Sequence, residues 1–380
     1  MFQNKIIKEI TIIGFNLFLR FCSLVFPVKG NRVLFIRKSF SGSNITPVFD
    51  MIVSDFPSID AKLIDYEGRN ITAVYKSLKN FLLLLSSKII ITTHGSVFKT
   101  RKNITLELWH AFPTKRDGLF LGKNKNRIFL KYTDFHLSYS DFCTLLLNSR
   151  IGMPIERYVV LGAPRNDYLF KECEEDDYQK SFKKVILYAP TYREDNSASK
   201  SGSNLFDYRG FSLENFKKYL AEKNYLFIWK LHPNEETKIH SLVNSLDTSN
   251  IMLLTDNTLR EMGKDLYQVL PLTDLLITDY SSIYADYLLL DKPMIFTPVD
   301  ITSYSTERGL LLAPYDFWHP GPVCLSQNAL CEEINKCLND QTYYHKKRVQ
   351  LKNLFHTFQN GSSSERAINF IQTKLENKPK

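Results

Sequence analysis

The sequence predicts an α/β protein built from two doubly wound parallel sheets. The first observation is that short apolar runs alternate with helical segments, which is typical of parallel sheets with helices on both faces. The second is size, because 380 residues with 44% hydrophobic and 13% aromatic content suffice for two domains with separate cores. The third is an acidic segment, Glu172–Asp177, which divides the strand-like runs into two series and predicts a surface connection.

The predicted strands follow in chain order. The first series is Arg32–Arg37, Ala61–Asp65, Ile89–Thr93, Leu106–Trp109, Phe135–Ser138 and Tyr158–Leu161. The second series is Val185–Tyr188, Leu226–Leu231, Ile251–Leu254, Leu275–Thr278 and Met294–Phe296. The basic stretch from Tyr343 onward has helical periodicity and no strand after it, so we expect it to pack across the domain junction.

Composition excludes several classes of protein. The six cysteines show neither CxxC spacing nor paired histidines, so no zinc site or disulfide framework is indicated and a reducing cytosolic compartment fits. Neither GxxxxGK[ST] nor GxGxxG is present, which argues against P-loop and dinucleotide-binding proteins. No DxD pair indicates a metal site, although Asp279 leaves an opening for one, and no cofactor is predicted.

The positive charge is concentrated at the two ends of the chain. The net charge is +9; residues 1–40 carry seven Lys or Arg against one Glu, and residues 341–380 carry eight against two. Each end is therefore +6, and the 300 residues between them sum to −3. Such ends suit an anionic partner, either nucleic acid or the anionic cytoplasmic leaflet of a membrane.

The first segment favours the membrane. Ile10–Phe26 is mostly apolar, but Asn16 and Arg20 interrupt it, so it is too short to span a bilayer, and no signal-peptide cleavage site follows. We interpret it as an interfacial helix with Lys5, Lys8 and Arg20 near lipid headgroups, giving peripheral attachment. The alternative is an amphipathic helix docked on the first domain.

The segment 275–296 is the most informative motif. It predicts a buried strand ending at Thr278, a turn, a helix that opens at Ser281 and Ser282, and a second strand. Hydroxyls at a helix N-terminus beyond a strand end favour a bound phosphate, because unpaired N–H groups and the helix dipole attract anions. The alternative is a serine N-cap on an ordinary βαβ unit.

Further motifs end the other strands, where open α/β sheets bind ligands. His110 follows an apolar strand and precedes a loop with Lys115, Arg116 and Gly118, which makes it a candidate for acid/base work, although a structural histidine is the alternative. In LGAPRND, Arg165 and Asp167 are expected to pair across a tight turn, which explains them without any ligand.

Cationic residues mark the second series of strands. Arg193 follows a strand in YAPTYRED, and Lys230 and His232 occupy alternate positions of one strand end, so their side chains share a face. Together with Ser281 and Ser282 they predict a pyrophosphate site at the carboxyl edge of one sheet. The remaining motif, with Arg308 in ERG before PGP, indicates only a loop.

These motifs resemble those of the CDP-glycerol glycerophosphotransferase family, which includes the teichoic acid primases and polymerases. WHAFPTKRDG, LGAPRND, YAPTYRED, WKLHPN, ITDYSSIYADYLLLDKP and ERG followed by PGP occur in the family's order, from about Trp109 to Pro322. The resemblance implies a GT-B-like architecture, two Rossmann-like domains facing a cleft. The expected ranges are an interfacial N-terminal amphipathic helix (1–30), an acceptor domain (31–170), a CDP-donor domain (180–342) and a C-terminal helix returning to the first domain (343–380).

The resemblance also implies roles for individual residues. His110 would be the base on the acceptor side and His232 would lie among the donor phosphates. Ser281 and Ser282 would cap the pyrophosphate, with Arg193 and Lys230 neutralising its charge. Asp286 would accept from ribose hydroxyls or else be an exposed helix carboxylate. Lys115, Thr278, Asp279 and Arg308 complete the expected substrate-binding set. One departure is Ala111, where the family usually has glycine, and it leaves the acceptor placement less defined than the donor site.

The resemblance implies metal-independent transfer of a polyol phosphate, with glycerol phosphate expected, from a CDP-linked donor to a hydroxyl of a lipid-linked, undecaprenyl-type acceptor. CMP would leave, at the cytoplasmic face of the membrane. The alternatives are a GT-B glycosyltransferase using a nucleotide sugar and a non-catalytic membrane-docked subunit; nucleic-acid binding is disfavoured because stacking motifs are missing. The sequence leaves open whether the polyol is glycerol or ribitol and whether the reaction is a single addition or a polymerisation. It also leaves open whether the product is teichoic acid or capsule, and what the oligomeric state is. The short N-terminal region favours a primase or short-chain enzyme.

Overall fold

The structure, a computed structural model, describes residues 2–66, 77–95, 98–121, 132–173, 180–191, 210–230 and 250–376. The chain forms two compact units. The first unit comprises Met1–His110, Gly118–Asp167 and Asn360–Lys380. The second comprises Ala111–Asp117 and Tyr168–Gln359.

Eleven strands of the described residues form two parallel sheets, and each matches a predicted strand to within three residues at either end. The first unit contains β1 (Lys29–Arg37), β2 (Asp60–Asp65), β3 (Ser87–Thr92), β4 (Ile104–Glu107), β5 (Phe135–Ser138) and β6 (Tyr158–Val160). The second contains β7 (Lys184–Tyr188), β8 (Tyr225–Lys230), β9 (Ile251–Leu254), β10 (Leu275–Thr278) and β11 (Met294–Phe296). The predicted α/β class with two parallel sheets is therefore confirmed.

The α-helices of the described residues lie between these strands, before the first strand or after the last. They are α1 (Phe2–Val25), α2 (Ile45–Asp55), α3 (Leu78–Ser86), α4 (Asp141–Ile151), α5 (Leu213–Lys223), α6 (Asp256–Glu261), α7 (Leu266–Val269), α8 (Ile283–Tyr287), α9 (Ile301–Glu307), α10 (Tyr315–Trp318), α11 (Gln327–Asn339), α12 (His345–Phe355) and α13 (Ser363–Glu376). Short 3₁₀ turns span Gly118–Leu121, Ile155–Arg157, Pro164–Phe170, Leu270–Leu272 and Leu288–Leu290.

The order of strands locates a switch point in each sheet. The orders are β2-β1-β3-β4-β5-β6 and β11-β10-β7-β8-β9. The chain reverses its direction of winding between β1 and β3 in the first sheet and between β7 and β10 in the second. Connections leave these neighbouring strands in opposite directions, which opens a crevice at their carboxyl ends. Ligand-binding residues are therefore expected after these four strands.

Helix α1 docks on the first sheet. Leu19 is fully buried in a core with residues of β1, β3 and α3, and Phe15 packs edge-on against Phe81 and Phe98. Asn16, expected to interrupt a membrane-facing run, is 2% exposed and its Oδ1 accepts a 2.9 Å hydrogen bond from the Lys99 N–H. The docked-helix alternative is thus what the structure shows for this face of the helix.

Two segments depart from the boundaries expected from the sequence. The loop 111–117 belongs to the second unit, where Lys115 forms an antiparallel bridge with Leu310. Helix α12 also belongs to the second unit, where the buried Arg348 binds Asp291 at 3.1 Å. Of the last two helices, only α13 belongs to the first unit. Long-range pairing rather than chain position decides these memberships.

Candidate active site

In the first unit, three neighbouring strands end in polar residues. Lys38 follows β1, Thr93 and His94 follow β3, and His110 comes three residues after β4. Because β1, β3 and β4 are adjacent and parallel, these side chains gather at one edge of the sheet, beside its switch point.

His110 is held in one tautomer. Its Nδ1 lies 2.7 Å from the carbonyl oxygen of Thr93. A carbonyl can only accept, so Nδ1 carries the proton and Nε2 of the neutral ring keeps its lone pair. Burial lowers the pKa of His110 to about 4, and the cations Arg165, Lys38 and Arg150 also act to lower it. The ring is therefore neutral at physiological pH, the state that a general base requires.

A second histidine covers His110. The rings of His94 and His110 stack with centroids 4.1 Å apart and planes 2° apart. Burial, together with the nearby His110 and Lys38, lowers the pKa of His94 to about 2. Both rings are consequently neutral, and stacking proceeds without charge repulsion.

One buried carboxylate ties together the two segments that carry these histidines. Glu107 is 1% exposed and accepts hydrogen bonds from Thr92 Oγ1 at 2.5 Å, the Gly95 N–H at 2.9 Å and the Trp109 N–H at 3.1 Å. Trp109 has a φ of 52°, a left-handed conformation that costs a non-glycine residue energy. The contacts of Glu107 maintain this turn, which directs His110 out of the strand.

The expected Arg165–Asp167 pair is wrong. Arg165 donates to the carbonyl oxygens of His110 and Gly42 and to Tyr139 Oη. Asp167 instead accepts from the backbone N–H groups of Ser363 and Ser364. These two N–H groups begin α13 and need acceptors, which explains why a carboxylate 196 residues away in sequence binds there. The motif therefore anchors the last helix and the backbone of His110.

In the second unit, Asp279 and Thr191 lie at the switch point. Asp279 follows β10, and its Oδ1 accepts from the N–H groups of Thr191 at 2.8 Å, Tyr280 at 2.5 Å and Ser281 at 3.2 Å. Thr278, at the end of β10, is fully buried and its hydroxyl donates to the Ala189 carbonyl. Thr278 and Asp279 thus fix the strand ends around the crevice.

Lys115, from the WHAFPTKRDG segment, also lies at this site. Its Nζ donates to Thr191 Oγ1 at 3.2 Å and lies 6.0 Å from the centre of the Tyr304 ring. The backbone of its loop pairs with the ERG segment, since the Arg116 N–H donates to the Gly309 carbonyl and Leu311 N–H to the Thr114 carbonyl. Arg308 is exposed beside this pairing. Three sequence motifs therefore meet around Thr191.

The helix predicted to open at Ser281 and Ser282 begins at Ile283. Helix α8 has five residues, and Ser282 precedes it in helical conformation without a side-chain cap hydrogen bond. The N–H groups of Tyr284 and Ala285 donate to the backbone carbonyls of Ser281 and Ser282, so neither is capped by a serine hydroxyl. Both serine side chains are partly exposed, and their contact with phosphate stays a prediction.

Two other predicted residues are buried. Asp286 is fully buried and accepts a 2.7 Å hydrogen bond from Tyr267 Oη, so the expectation of an exposed helix carboxylate is wrong. Tertiary packing of α7 against α8 covers it. Lys230 is 7% exposed and pairs with Asp256 at 3.0 Å. Arg193 and His232 lie outside the described residues.

Sequence reasoning missed His94. It follows β3 and precedes Gly95, the same pattern of strand, histidine and loop that singled out His110, and that pattern was the available signal. Among the described residues, no group of three or more His, Cys, Asp or Glu side chains is placed to hold a metal ion.

Comparison with known proteins places the chain in a family. Residues 60–373 match the model of the CDP-glycerol:poly(glycerophosphate) glycerophosphotransferase family. The chain is 29% identical to the teichoic acid glycerol-phosphate primase of Bacillus subtilis (strain 168), over 85% of this chain and 82% of that protein. It is 28% identical to the teichoic acid ribitol-phosphate polymerase TarL of Staphylococcus aureus (strain NCTC 8325 / PS 47), over 70% of this chain and 47% of that protein.

The fold agrees with these relationships. The solved structure of the wall teichoic acid polymerase TagF superposes with a TM-score of 0.72 at 22% identity, covering 92% of this chain and 90% of that one. The fold is thus GT-B-like, as the motifs predicted. The family model spans most of the chain and includes His94, His110 and the switch point of the second sheet, while β1 and Lys38 precede the matched range. The protein therefore belongs to the CDP-glycerol:poly(glycerophosphate) glycerophosphotransferase family.

Proposed function

We propose that this protein transfers a polyol phosphate, glycerol phosphate in the first instance, from a CDP-linked donor to a hydroxyl of a lipid-linked acceptor in the synthesis of a teichoic-acid-type polymer. The observation that carries the proposal is the state of His110 in a member of this family. The Thr93 carbonyl fixes the proton on Nδ1, so Nε2 is free to accept a proton.

In the proposed reaction, Nε2 of His110 takes the proton of the acceptor hydroxyl as its oxygen attacks the phosphorus that bears the polyol. The new bond joins that oxygen to phosphorus, the bond from phosphorus to the CMP oxygen breaks, and CMP leaves with the electron pair. Phosphoryl transfer of this kind depends on alignment and on charge stabilisation rather than on covalent chemistry by the protein.

The second unit supplies the proposed donor contacts. Lys115 lies beside Thr191 at the switch point, where a phosphate would meet its ammonium group. Arg193 and Lys230 are proposed to balance the remaining phosphate charge, with Arg308 at the exposed rim of the loop pairing. His232, Ser281 and Ser282 are proposed to contact the phosphates and Asp286 the ribose, and a ribose contact would require the buried Asp286 carboxylate to become accessible.

Helix α1 supports a proposed peripheral attachment to an anionic membrane. No helix of the described residues is long and apolar enough to cross a bilayer. The face of α1 turned away from the sheet is nonetheless apolar, with Leu17 62%, Phe21 71% and Leu24 55% exposed. A helix docked only on its own domain would place polar side chains there. Insertion of this face between lipid headgroups, with Arg20 near phosphates, would hold the enzyme at the cytoplasmic face, beside its lipid-linked acceptor. The side chains of Lys5 and Lys8, expected beside the same headgroups, lie outside the part of the chain whose side chains are described.

The experiment that tests the proposal measures CMP release by purified protein with a lipid-linked disaccharide acceptor and either CDP-glycerol or CDP-ribitol. We expect acceptor-dependent CMP from one donor, and a fall of roughly a hundredfold or more in turnover in His110→Ala with donor affinity retained. His345→Ala, half-exposed on the surface of the second unit, is the matched control.

Three outcomes would contradict parts of the proposal. Equal loss of turnover and donor binding in His110→Ala would remove its role as base. Release from CDP-ribitol alone would replace glycerol by ribitol. Turnover of UDP-sugars without CMP release from either CDP donor would favour the glycosyltransferase alternative.

A further inference from the structure

The turn Thr93–His94–Gly95 surrounds the His110 ring. The Thr93 carbonyl accepts from His110 Nδ1 at 2.7 Å, and the His94 ring lies parallel to the His110 ring at 4.1 Å. Thr93 Oγ1 and His94 Nδ1 share a 3.0 Å hydrogen bond, which fixes the orientation of the His94 ring. Backbone and side chain of one turn thus constrain both the direction and the plane of His110.

We propose that His94 is a positioning residue: its ring covers one face of the His110 imidazole and holds it in the plane in which Nδ1 reaches the Thr93 carbonyl. Nε2 then stays unprotonated and fixed in direction. The inference rests on the proposed function because it takes His110 to be the base. It adds His94 as a residue that supports that base.

Several observations separate this role from ordinary packing. The two planes differ by only 2°, whereas the neighbouring Trp109 ring is tilted by 37° from His110. Glu107 binds the N–H of Gly95, next to His94, and that of Trp109, next to His110. One carboxylate therefore sets the separation of the two backbone segments whose rings stack.

The surroundings of the His110 ring explain why its burial by His94 affects its pKa. Titratable or cationic groups act on the His110 ring from several elements: Lys38 after β1, His94 after β3, His136 on β5, Arg150 on α4 and Arg165 after β6. Burial is the largest cause of the lowered His110 pKa, with these cations as a further cause. Removing the His94 ring would admit water to one face of His110. The ring would then be less buried, and its pKa would be lowered less.

The test compares His94→Ala with His94→Phe in the full-length protein. The first readout is the titration of the His110 ring followed by NMR, which needs no turnover. We expect the pKa of His110 to rise from about 4 toward 6.5 in His94→Ala and to stay near the wild-type value in His94→Phe, which keeps an aromatic ring in place.

The second readout is the kinetics of CMP release. We expect kcat to fall roughly tenfold to a hundredfold in His94→Ala with an unchanged KM for CDP-glycerol, and to recover to within about threefold of wild type in His94→Phe. Thermal unfolding of both variants and of His345→Ala verifies that they fold. A residue that only stabilised the fold would not shift the His110 titration.

Two results would overturn the inference. One is a His94→Ala protein with wild-type His110 titration and wild-type kcat. The other is a His94→Phe protein as impaired as His94→Ala, because stacking would then not be the property that matters. If no CDP donor were turned over at all, the proposed function would fail, while the NMR titration would still decide whether His94 positions His110.

Discussion

The carboxylate of Asp279 accepts a 2.8 Å hydrogen bond from the backbone N–H of Thr191, joining two strand ends that are 88 residues apart in the chain. Asp279 is 2% exposed, and the same oxygen also accepts from Tyr280 and Ser281. This arrangement holds the crevice at the switch point of the second sheet open in one geometry, beside the ammonium group of Lys115.

Asp279→Ala would leave these backbone N–H groups without their acceptor. We expect the free energy of unfolding to fall by roughly 1–3 kcal/mol and CMP release to be lost, because the loop that presents Thr191 is no longer fixed. Asp279→Asn, which keeps one acceptor oxygen, should be less impaired. Urea denaturation and the CMP assay measure both effects, with the exposed Glu307→Ala as control. Unchanged stability in Asp279→Ala would contradict this account.

The pH dependence of kcat/KM should follow His110. Because burial lowers its pKa to about 4, the ring is neutral and competent above about pH 5 and becomes protonated below about pH 4. We expect an acidic limb near pH 4 rather than near 6.5, measured by CMP release with saturating acceptor. An inactivating protonation near 6.5 in the wild-type protein would show that the ring is hydrated in the working enzyme.

Buried neutral histidines also predict how stability depends on pH. Burial lowers the pKa of His136 and of His319 to about 4. Unfolding returns each to about 6.5, so the unfolded chain binds more protons and stability is lost as pH falls from 6.5 toward 4. Glu107 acts in the opposite sense, since burial raises its pKa to about 7 and its stabilisation is lost as pH rises through that value.

The substitution His136→Phe isolates one of these contributions. We expect the pH dependence of the unfolding free energy between pH 6.5 and 4 to decrease by up to about 1.4 kcal/mol per pH unit, the value for one proton. Urea denaturation at several pH values gives the slope. An identical slope in wild type and variant would mean that His136 is already protonated in the folded protein.

Asp167 is predicted to hold α13 in place. It accepts from the N–H groups of Ser363 at 2.8 Å and Ser364 at 2.7 Å, and Gly162 leaves room for the approach, since a Cβ there would lie 2.6 Å from Ser363 Oγ. Asp167→Ala should cost roughly 1–3 kcal/mol and accelerate hydrogen exchange in residues 363–376. Asp141→Ala, exposed in the first turn of α4, is the control. Unaltered exchange in α13 would contradict the anchoring role.

The outer face of α1 is predicted to bind lipid. The combined substitutions Leu17→Ser, Phe21→Ser and Leu24→Ser should weaken sedimentation with anionic vesicles roughly tenfold or more, because three apolar side chains no longer enter the bilayer. Their exposure means that stability should change little. Phe317→Ser, at a residue 61% exposed in the second unit, should bind vesicles as wild type does. Equal binding by all three proteins would locate the lipid contact elsewhere.

Local sequence pattern was sufficient to predict the strands and the strand ends at which chemistry is expected. Apolar runs such as Leu275–Thr278 are set by local pattern, and each observed strand follows its predicted range closely. His110 and Asp279 could be singled out for the same reason, because a polar residue that closely follows a buried strand emerges at the carboxyl edge of a parallel sheet. Both properties depend on neighbours along the chain.

Which of these residues meet depends on tertiary packing. Lys115 contacts Thr191 across 76 positions, Asp167 binds the start of α13 rather than Arg165, and His94 stacks on His110. The burial of Asp286 and the docking of α1 through Asn16 belong to the same category. Such contacts depend on the order of strands in each sheet and on which helix covers which face, and these are fixed by packing between distant segments rather than by local periodicity.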